Sequence, residues 1–306
     1  MQNEQFLAIC LNPVLQKTIV LPRLWENEVN RSDEYYLDAS GKGINVTRIL
    51  QQLEEPVLHL TQIGGMHAEL LRSLVRQDNL SVEWVEAECE VRSCYTLINS
   101  EKNTTTEIVE EGKPVGAGTE QAVLHSFSKV LPRVHTVIIS GSKAAGYSDT
   151  IFPEMVKRAK EQGKKVILDI RNKDLLGSLP YKPDLIKPNL AEFYATFFSS
   201  TTPKESLEHE QELKKVKEKM KELYNEYGTV TVLTRGKHET LYFQNGNVES
   251  IVPQSIVPVN TIGSGDAVTA GIAVALKNGE TVAAGVERGH NLAKKNALLL
   301  RPGSIL

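Results

Sequence analysis

Short, uninterrupted apolar runs alternate along this chain with longer segments whose apolar positions recur every three or four residues. Phe6-Leu7-Ala8-Ile9-Cys10-Leu11, Thr136-Val137-Ile138-Ile139-Ser140, Lys165-Val166-Ile167-Leu168-Asp169, Asp184-Leu185-Ile186-Lys187 and Thr229-Val230-Thr231-Val232-Leu233 predict strands. A strand that is apolar on both faces must be covered on both, which predicts a mainly parallel sheet between helical layers. Gly43–Leu53 predicts a helix with Ile44, Ile49, Leu50 and Leu53 on its apolar side, and Asp149–Gln162 another, closed by Gly163 as a C-cap. Lys204–Tyr227 places Leu207, Leu213, Val216, Met220, Leu223 and Tyr227 along one helical face. Its charges, His209-Glu210 among them, form a solvated outer face.

Two segments break this rhythm. Gln16–Leu37 holds Thr18-Ile19-Val20-Leu21 and then irregular polar sequence, and Val91–Ile108 predicts two strands joined at Ser100-Glu101-Lys102-Asn103. One-sided strands of this kind predict a small antiparallel sheet, too small to stand alone. The expectation is a single domain over residues 1–306, with a β-lid from about 16–38 and 90–110.

The totals narrow the function classes. The chain has 306 residues, 41% hydrophobic and 24% charged, with a net charge of −3. That charge offers no general attraction to nucleic acid or to an anionic membrane. Cys10, Cys89 and Cys94 form neither a CxxC pair nor an even set, so inert thiols in a reducing cytoplasm are expected. No segment approaches the length needed to span a bilayer, and the seven histidines show no metal-ligand spacing. His67 follows Gly64-Gly65, where packing of its own loop accounts for it.

The candidate chemistry sits in two glycine turns that lead into helices. Asn260-Thr261-Ile262-Gly263-Ser264-Gly265-Asp266 precedes the Ala-rich run Ala267–Leu276. Glycines let the backbone aim several N–H groups at one point, and the helix start adds its positive dipole end. Together these make an anion site, most simply for a phosphate. Asp266 in such a site is either an ordinary N-cap or a base that takes a proton from a hydroxyl attacking that phosphate. The second turn is Ala39-Ser40-Gly41-Lys42-Gly43-Ile44-Asn45-Val46. It lacks the third glycine and the later acidic residue of a dinucleotide fingerprint, and no GxxxxGK[ST] loop occurs.

Taken in order, the motifs resemble those of the PfkB family of sugar kinases, with its ribokinase-like fold. Gly41-Lys42-Gly43-Ile44-Asn45-Val46 resembles the first family signature and Thr261-Ile262-Gly263-Ser264-Gly265-Asp266 the second. Ile139-Ser140-Gly141-Ser142, Lys187-Pro188-Asn189-Leu190-Ala191-Glu192 and Thr234-Arg235-Gly236 fall between them in the family's order. Leu11-Asn12-Pro13, Val29-Asn30-Arg31, Arg92-Ser93-Cys94 and Thr106-Glu107-Ile108 resemble the phosphosugar branch, 1-phosphofructokinase and tagatose-6-phosphate kinase.

The resemblance implies a three-layer α/β/α domain that transfers a phosphoryl group from ATP, with Mg²⁺, to a hydroxyl of a phosphorylated hexose. It implies Asp266 as base, with Gly263, Ser264 and Gly265 supplying amides to the transferred group. Gly41, Lys42, Asn45, Ser140 and Gln16 fall at acceptor positions. Arg92 is the cation for the sugar phosphate, with Arg31 a weaker candidate. Lys187, Asn189, Thr234, Gly236 and Thr261 fall at nucleotide positions. Glu192 with Asn189 would organise magnesium through water, although the same pair reads locally as a helix capping box. Arg235 and Lys237 read as solvated. The implied product is fructose 1,6-bisphosphate from fructose 1-phosphate; tagatose 6-phosphate and fructose 6-phosphate are the alternative acceptors. A homodimer through the lid is a further family expectation.

One departure concerns the acceptor. Gln16 stands where the family usually has aspartate, in Asn12-Pro13-Val14-Leu15-Gln16, and Ser40 replaces a common glycine. Both bear on the choice of sugar, and neither touches the phosphoryl-transfer motif. Two rival readings are a non-catalytic sugar-phosphate sensor and an NAD(P)-dependent oxidoreductase.

Overall fold

The computed structural model describes residues 5–198 and 210–306. In chain order the elements are β1 (Phe6–Ile9), β2 (Val14–Leu21), β3 (Glu34–Ser40), α1 (Lys42–Gln52), β4 (Val57–Ile63), α2 (Ala68–Gln77), β5 (Val82–Glu86), β6 (Arg92–Asn99) and β7 (Thr104–Val109). There follow α3 (Thr119–Val130), β8 (Thr136–Ser140), α4 (Ile151–Glu161), β9 (Lys165–Asp169), α5 (Asn172–Ser178), β10 (Leu185–Ile186), α6 (Leu190–Phe197) and α7 (Glu210–Tyr227). The last are β11 (Val230–Leu233), β12 (Thr240–Gln244), β13 (Asn247–Ile251), α8 (Ser264–Lys277) and α9 (Val282–Ala297). The part of the expected charged helix before Glu210, with Leu207 and His209, lies outside the described residues.

The large sheet runs β13-β12-β11-β10-β9-β8-β1-β4-β5. Pairing is parallel from β5 through β11 and antiparallel at β11–β12 and β12–β13. In β1 the side chains of Leu7 and Ile9 enter the cluster under α3, α4, α6 and α7, whereas Phe6 and Ala8 enter the opposite one, under α1, α8 and α9. This alternation between two dry faces is why the strand reads as an unbroken apolar run. Burying each large side chain contributes about 1.5–3 kcal/mol, against ~0–1 kcal/mol for an exposed ion pair such as Arg23–Glu101. The two core clusters, not the surface charges, hold the layers together.

The small sheet is ordered β3-β2-β6-β7. Its outer pairs, β2–β3 and β6–β7, are antiparallel, and β2 joins β6 by parallel pairing, Val14 opposite Arg92. The edge hairpin β12–β13 carries no sequence expectation. Its turn is Asn245-Gly246, both with positive φ, a recognised hairpin signal. Among the described residues no helix is long and apolar enough to cross a membrane.

Candidate active site

Parallel strands that end at the same edge of a sheet bring their following residues together. Here Ser140 closes β8, Asp169 closes β9, Lys187 follows β10 and Thr234 follows β11. Asp169 is almost fully buried. Its carboxylate lies 3.2 Å from Lys42 Nζ and 3.4 Å from Lys187 Nζ, and accepts at 3.3 Å from Ser140 Oγ. Burial alone would push its pKa up, yet Lys187 and Lys42 hold it below the usual carboxylate range.

Asp266 occupies the first turn of α8. Gly263 caps that helix with φ +84°, and a Cβ there would lie 2.3 Å from the Gly303 amide nitrogen. The backbone must cross the C-terminal turn at this point, and only glycine fits. The N-cap position of α8 is Gly263 itself, which has no side chain to cap the first turn with. A Cβ built on Gly265 would meet nothing nearer than Lys187 Nζ, at 3.7 Å. The space over that glycine is open and faces a cation, as an anion cradle requires.

Asp266 is itself buried, and its Oδ2 accepts a hydrogen bond from Asn45 Nδ2 at 2.8 Å. Burial, and after it the Asp169 carboxylate, push its pKa up to about 7, against the pull of Lys42, Asn45 and Lys187. A carboxylate poised there can accept a proton near neutral pH. Gly263, not Asp266, holds the N-cap position, and Asp266 lies inside the first turn, so the reading of Asp266 as the N-cap is corrected.

Lys42 starts α1 and bridges the two halves of the site. Its ammonium reaches Glu192 Oε1 at 3.2 Å as well as Asp169. Burial opposes its charge, but Asp169, Glu192 and Asp266 outweigh that and keep it well above the ordinary lysine range. The capping box read locally at Asn189 and Glu192 is present. Asn189 Oδ1 accepts from Glu192 N at 2.8 Å, and Glu192 Oε2 accepts from Asn189 N at 3.0 Å. Glu192 therefore caps α6 with one oxygen and meets Lys42 with the other.

The remaining candidates divide between two sides. Thr234 is tied to the Asn189 segment by a parallel bridge and by Leu190 N donating to Thr234 O at 3.1 Å. Gly236 follows it, exposed. Thr261 is exposed and lines a cavity of about 240 Å³ with Asn103, Thr104 and Thr105 of the small sheet. On the other side, Gln16 is buried and donates to Thr96 Oγ1 at 2.9 Å across the β2–β6 seam. Arg92 donates to Glu110 O at 2.9 Å and leaves its buried Nε without a protein partner. Burial pushes up the thiol of Cys10, beneath Gly41, and the charge of Arg92 is among the groups that draw it down. Gly41 makes the turn from β3 into α1. Arg31 lies in the loop between β2 and β3.

Arg235 contradicts its expectation. Rather than solvated it is 4% exposed and paired with Glu239, four residues on. His67 packs its loop against the segment before β6, with Nδ1 3.2 Å from Val91 O. The cysteines are free, two of them buried. Asp169 was not singled out from sequence. Its only signal is a charged residue closing an apolar strand, and that gains meaning once Ser140 and Lys187 stand on the neighbouring strands.

The pattern of the pfkB family carbohydrate kinases matches residues 11–300. The chain belongs to that family. Solved structures with the same fold include phosphofructokinase-2 of Escherichia coli in complex with potassium. It is 20% identical over 98% of this chain and 94% of that one, at a TM-score of 0.83. The same enzyme in complex with fructose 6-phosphate is 20% identical over 96% and 98%, at 0.81. A Thermotoga maritima protein described as a possible 1-phosphofructokinase is 24% identical over 96% and 91%, at 0.82. As a pfkB carbohydrate kinase, this chain is a phosphotransferase with a hydroxyl acceptor, and the family's phosphoryl donor is ATP with Mg²⁺.

Proposed function

We propose that this kinase phosphorylates a hydroxyl of a hexose phosphate, most readily fructose 1-phosphate, to give fructose 1,6-bisphosphate. The observation that carries the reading is Asp266: buried, pushed up to about 7, and set in the first turn of a glycine-capped helix with open space over Gly265. Asp266 takes the proton of the attacking sugar hydroxyl. The amides of Gly263, Ser264 and Gly265 hold the charge of the phosphoryl group as it moves. Lys42 and Lys187 add positive charge beside it.

Gly41, Lys42, Asn45, Ser140 and Gln16 hold the acceptor sugar, and Arg92 holds its phosphate. A bidentate guanidinium suits that role, and the unpartnered Nε supports it. Lys187, Asn189, Thr234, Gly236 and Thr261 hold the nucleotide. Among the described residues no three His, Cys, Asp or Glu side chains converge as a metal site. The side-chain oxygens of Glu192 and Asn189 fit magnesium through water, because Glu192 Oε2 and Asn189 Oδ1 are committed to the α6 cap and Glu192 Oε1 to Lys42. When bound, magnesium neutralises charge on the donor phosphates. The small sheet forms the lid of one kinase domain and excludes competing water. Its exposed Tyr35, Leu37 and Ile108 support pairing of two lids in a homodimer.

The test measures sugar-dependent ADP release with fructose 1-phosphate, tagatose 6-phosphate, fructose 6-phosphate and the unphosphorylated hexoses. The highest kcat/KM is expected with fructose 1-phosphate. A preference for an unphosphorylated sugar overturns the phosphosugar assignment.

A further inference from the structure

A carboxamide presents a donor at one end and an acceptor at the other, and the two exchange when the group rotates. At Asn45 that choice matters, because this amide faces Asp266. Asn45 Oδ1 accepts from Ser40 Oγ at 3.1 Å and from Arg48 Nη1 at 3.3 Å, which leaves Nδ2 for Asp266. A serine hydroxyl donates or accepts and is satisfied by either orientation. A guanidinium only donates, so of the two groups that meet Oδ1 Arg48 alone discriminates.

Arg48 is 1% exposed, and every side of its head group is engaged. Nε donates to Asp78 Oδ2 at 2.9 Å, at the C-cap of α2. Nη1 also donates to Pro302 O at 3.2 Å in the C-terminal turn, and Nη2 donates to Ala39 O at the end of β3. Asp78 in turn takes Arg301 Nη2 at 2.5 Å, and Arg301 Nε reaches Asp38 Oδ1 at 2.7 Å. Such a buried ionic cluster is weak evidence of stability, since an apolar set of equal volume often does as well. What it gives without ambiguity is orientation.

We infer that Arg48 is a positioning residue that holds the Asn45 carboxamide in the one orientation that offers Asp266 a hydrogen-bond donor. The inference rests on Asp266 as the base. With the amide turned over, Asn45 Oδ1 would face Asp266 Oδ2, two acceptors in contact, and the carboxyl would keep its proton to higher pH. Asp266 is otherwise faced by Lys42 of α1, Asp169 of β9 and Lys187 after β10. Arg48 touches none of these three, so its influence passes through Asn45.

The experiment follows the acidic limb of the pH dependence of kcat/KM in the charge-balanced Arg48→Met with Asp78→Asn, checked for folding by thermal melting, because a lysine at position 48 would still only donate. The limb is expected to move up by about half to one pH unit, so that kcat/KM just below neutrality falls roughly 3–10-fold more than on the alkaline plateau. In an Asn45→Ala background the same double substitution should move the limb no further. An unmoved limb in a folded variant, or an undiminished shift without Asn45, overturns the inference. Neutron diffraction from the unaltered, deuterium-exchanged protein tests it without a variant: Nδ2 facing Asp266 is expected, and Oδ1 there refutes it. Turnover retained in Asp266→Asn would instead remove the base reading, whatever Arg48 does.

Discussion

Asn45 and Asp266, 221 positions apart, meet through a 2.8 Å hydrogen bond between the two glycine-led helices of this kinase. One helix carries the family's first signature and the other its second. The residue proposed to hold the acceptor and the residue proposed as base are thus joined by contact.

Asp266→Asn should lower kcat by about 10²–10⁴-fold with the fold intact. Steady-state rates and circular dichroism check this together. Near-normal turnover would remove Asp266 from the proton transfer.

The pH dependence of the unaltered enzyme carries its own sign. With Asp266 at about 7, kcat/KM should rise through neutrality and level off above it. Stability should run the other way. The folded protein keeps a proton that the unfolded chain, near 3.8, gives up, so this group's contribution fades as pH rises from about 4 to about 7. Asp266→Asn should therefore gain stability over the unaltered protein at pH 8, on the order of 1–3 kcal/mol, and lose that gain at pH 4. Urea melts at the two pH values measure it.

Lys42→Met removes a cation that draws Asp266 toward ionisation and pairs with Asp169 and Glu192. The acidic limb should move above its usual place, with kcat/KM down roughly 10²-fold or more at pH 7. A loss of rate with the limb unmoved would confine Lys42 to binding.

Asp169→Asn leaves Lys187, 3% exposed, without its carboxylate. Breaking a buried pair on one side costs about 3–5 kcal/mol. Denaturant unfolding should show this alongside the loss of rate.

Arg92→Ala should raise KM for the sugar phosphate about 10–100-fold while kcat and KM for ATP change little. An unchanged KM would reduce Arg92 to its strand contact with Glu110.

Much of this was readable from the chain. The alternating cores of β1 follow from an unbroken apolar run, and the Gly263–Asp266 turn follows from small residues set before an Ala-rich helix. The two irregular segments gave the small sheet, though not its parallel seam, because pairing between distant strands leaves no local mark. Asp169 and Arg48 were hidden for a related reason. Asp169 acquires partners only from strands on either side, and Arg48 sits on a helix buried all round, where polar Asn45, Thr47 and Arg48 face protein. Arg235 misled because Arg-Gly-Lys suggests a wet loop, whereas Glu239 returns to meet it.

Between β3 and α1 there is a single residue, Gly41, with φ +110°. So short a joint has almost no slack. Any tilt of the small sheet would be carried into the first turn of the helix that holds Lys42 and Asn45, and through Asn45 to the Asp266 carboxylate. Ser40 on the strand side already bonds Asn45 on the helix side at 3.1 Å, so a residue inserted in the joint would loosen that coupling at both ends.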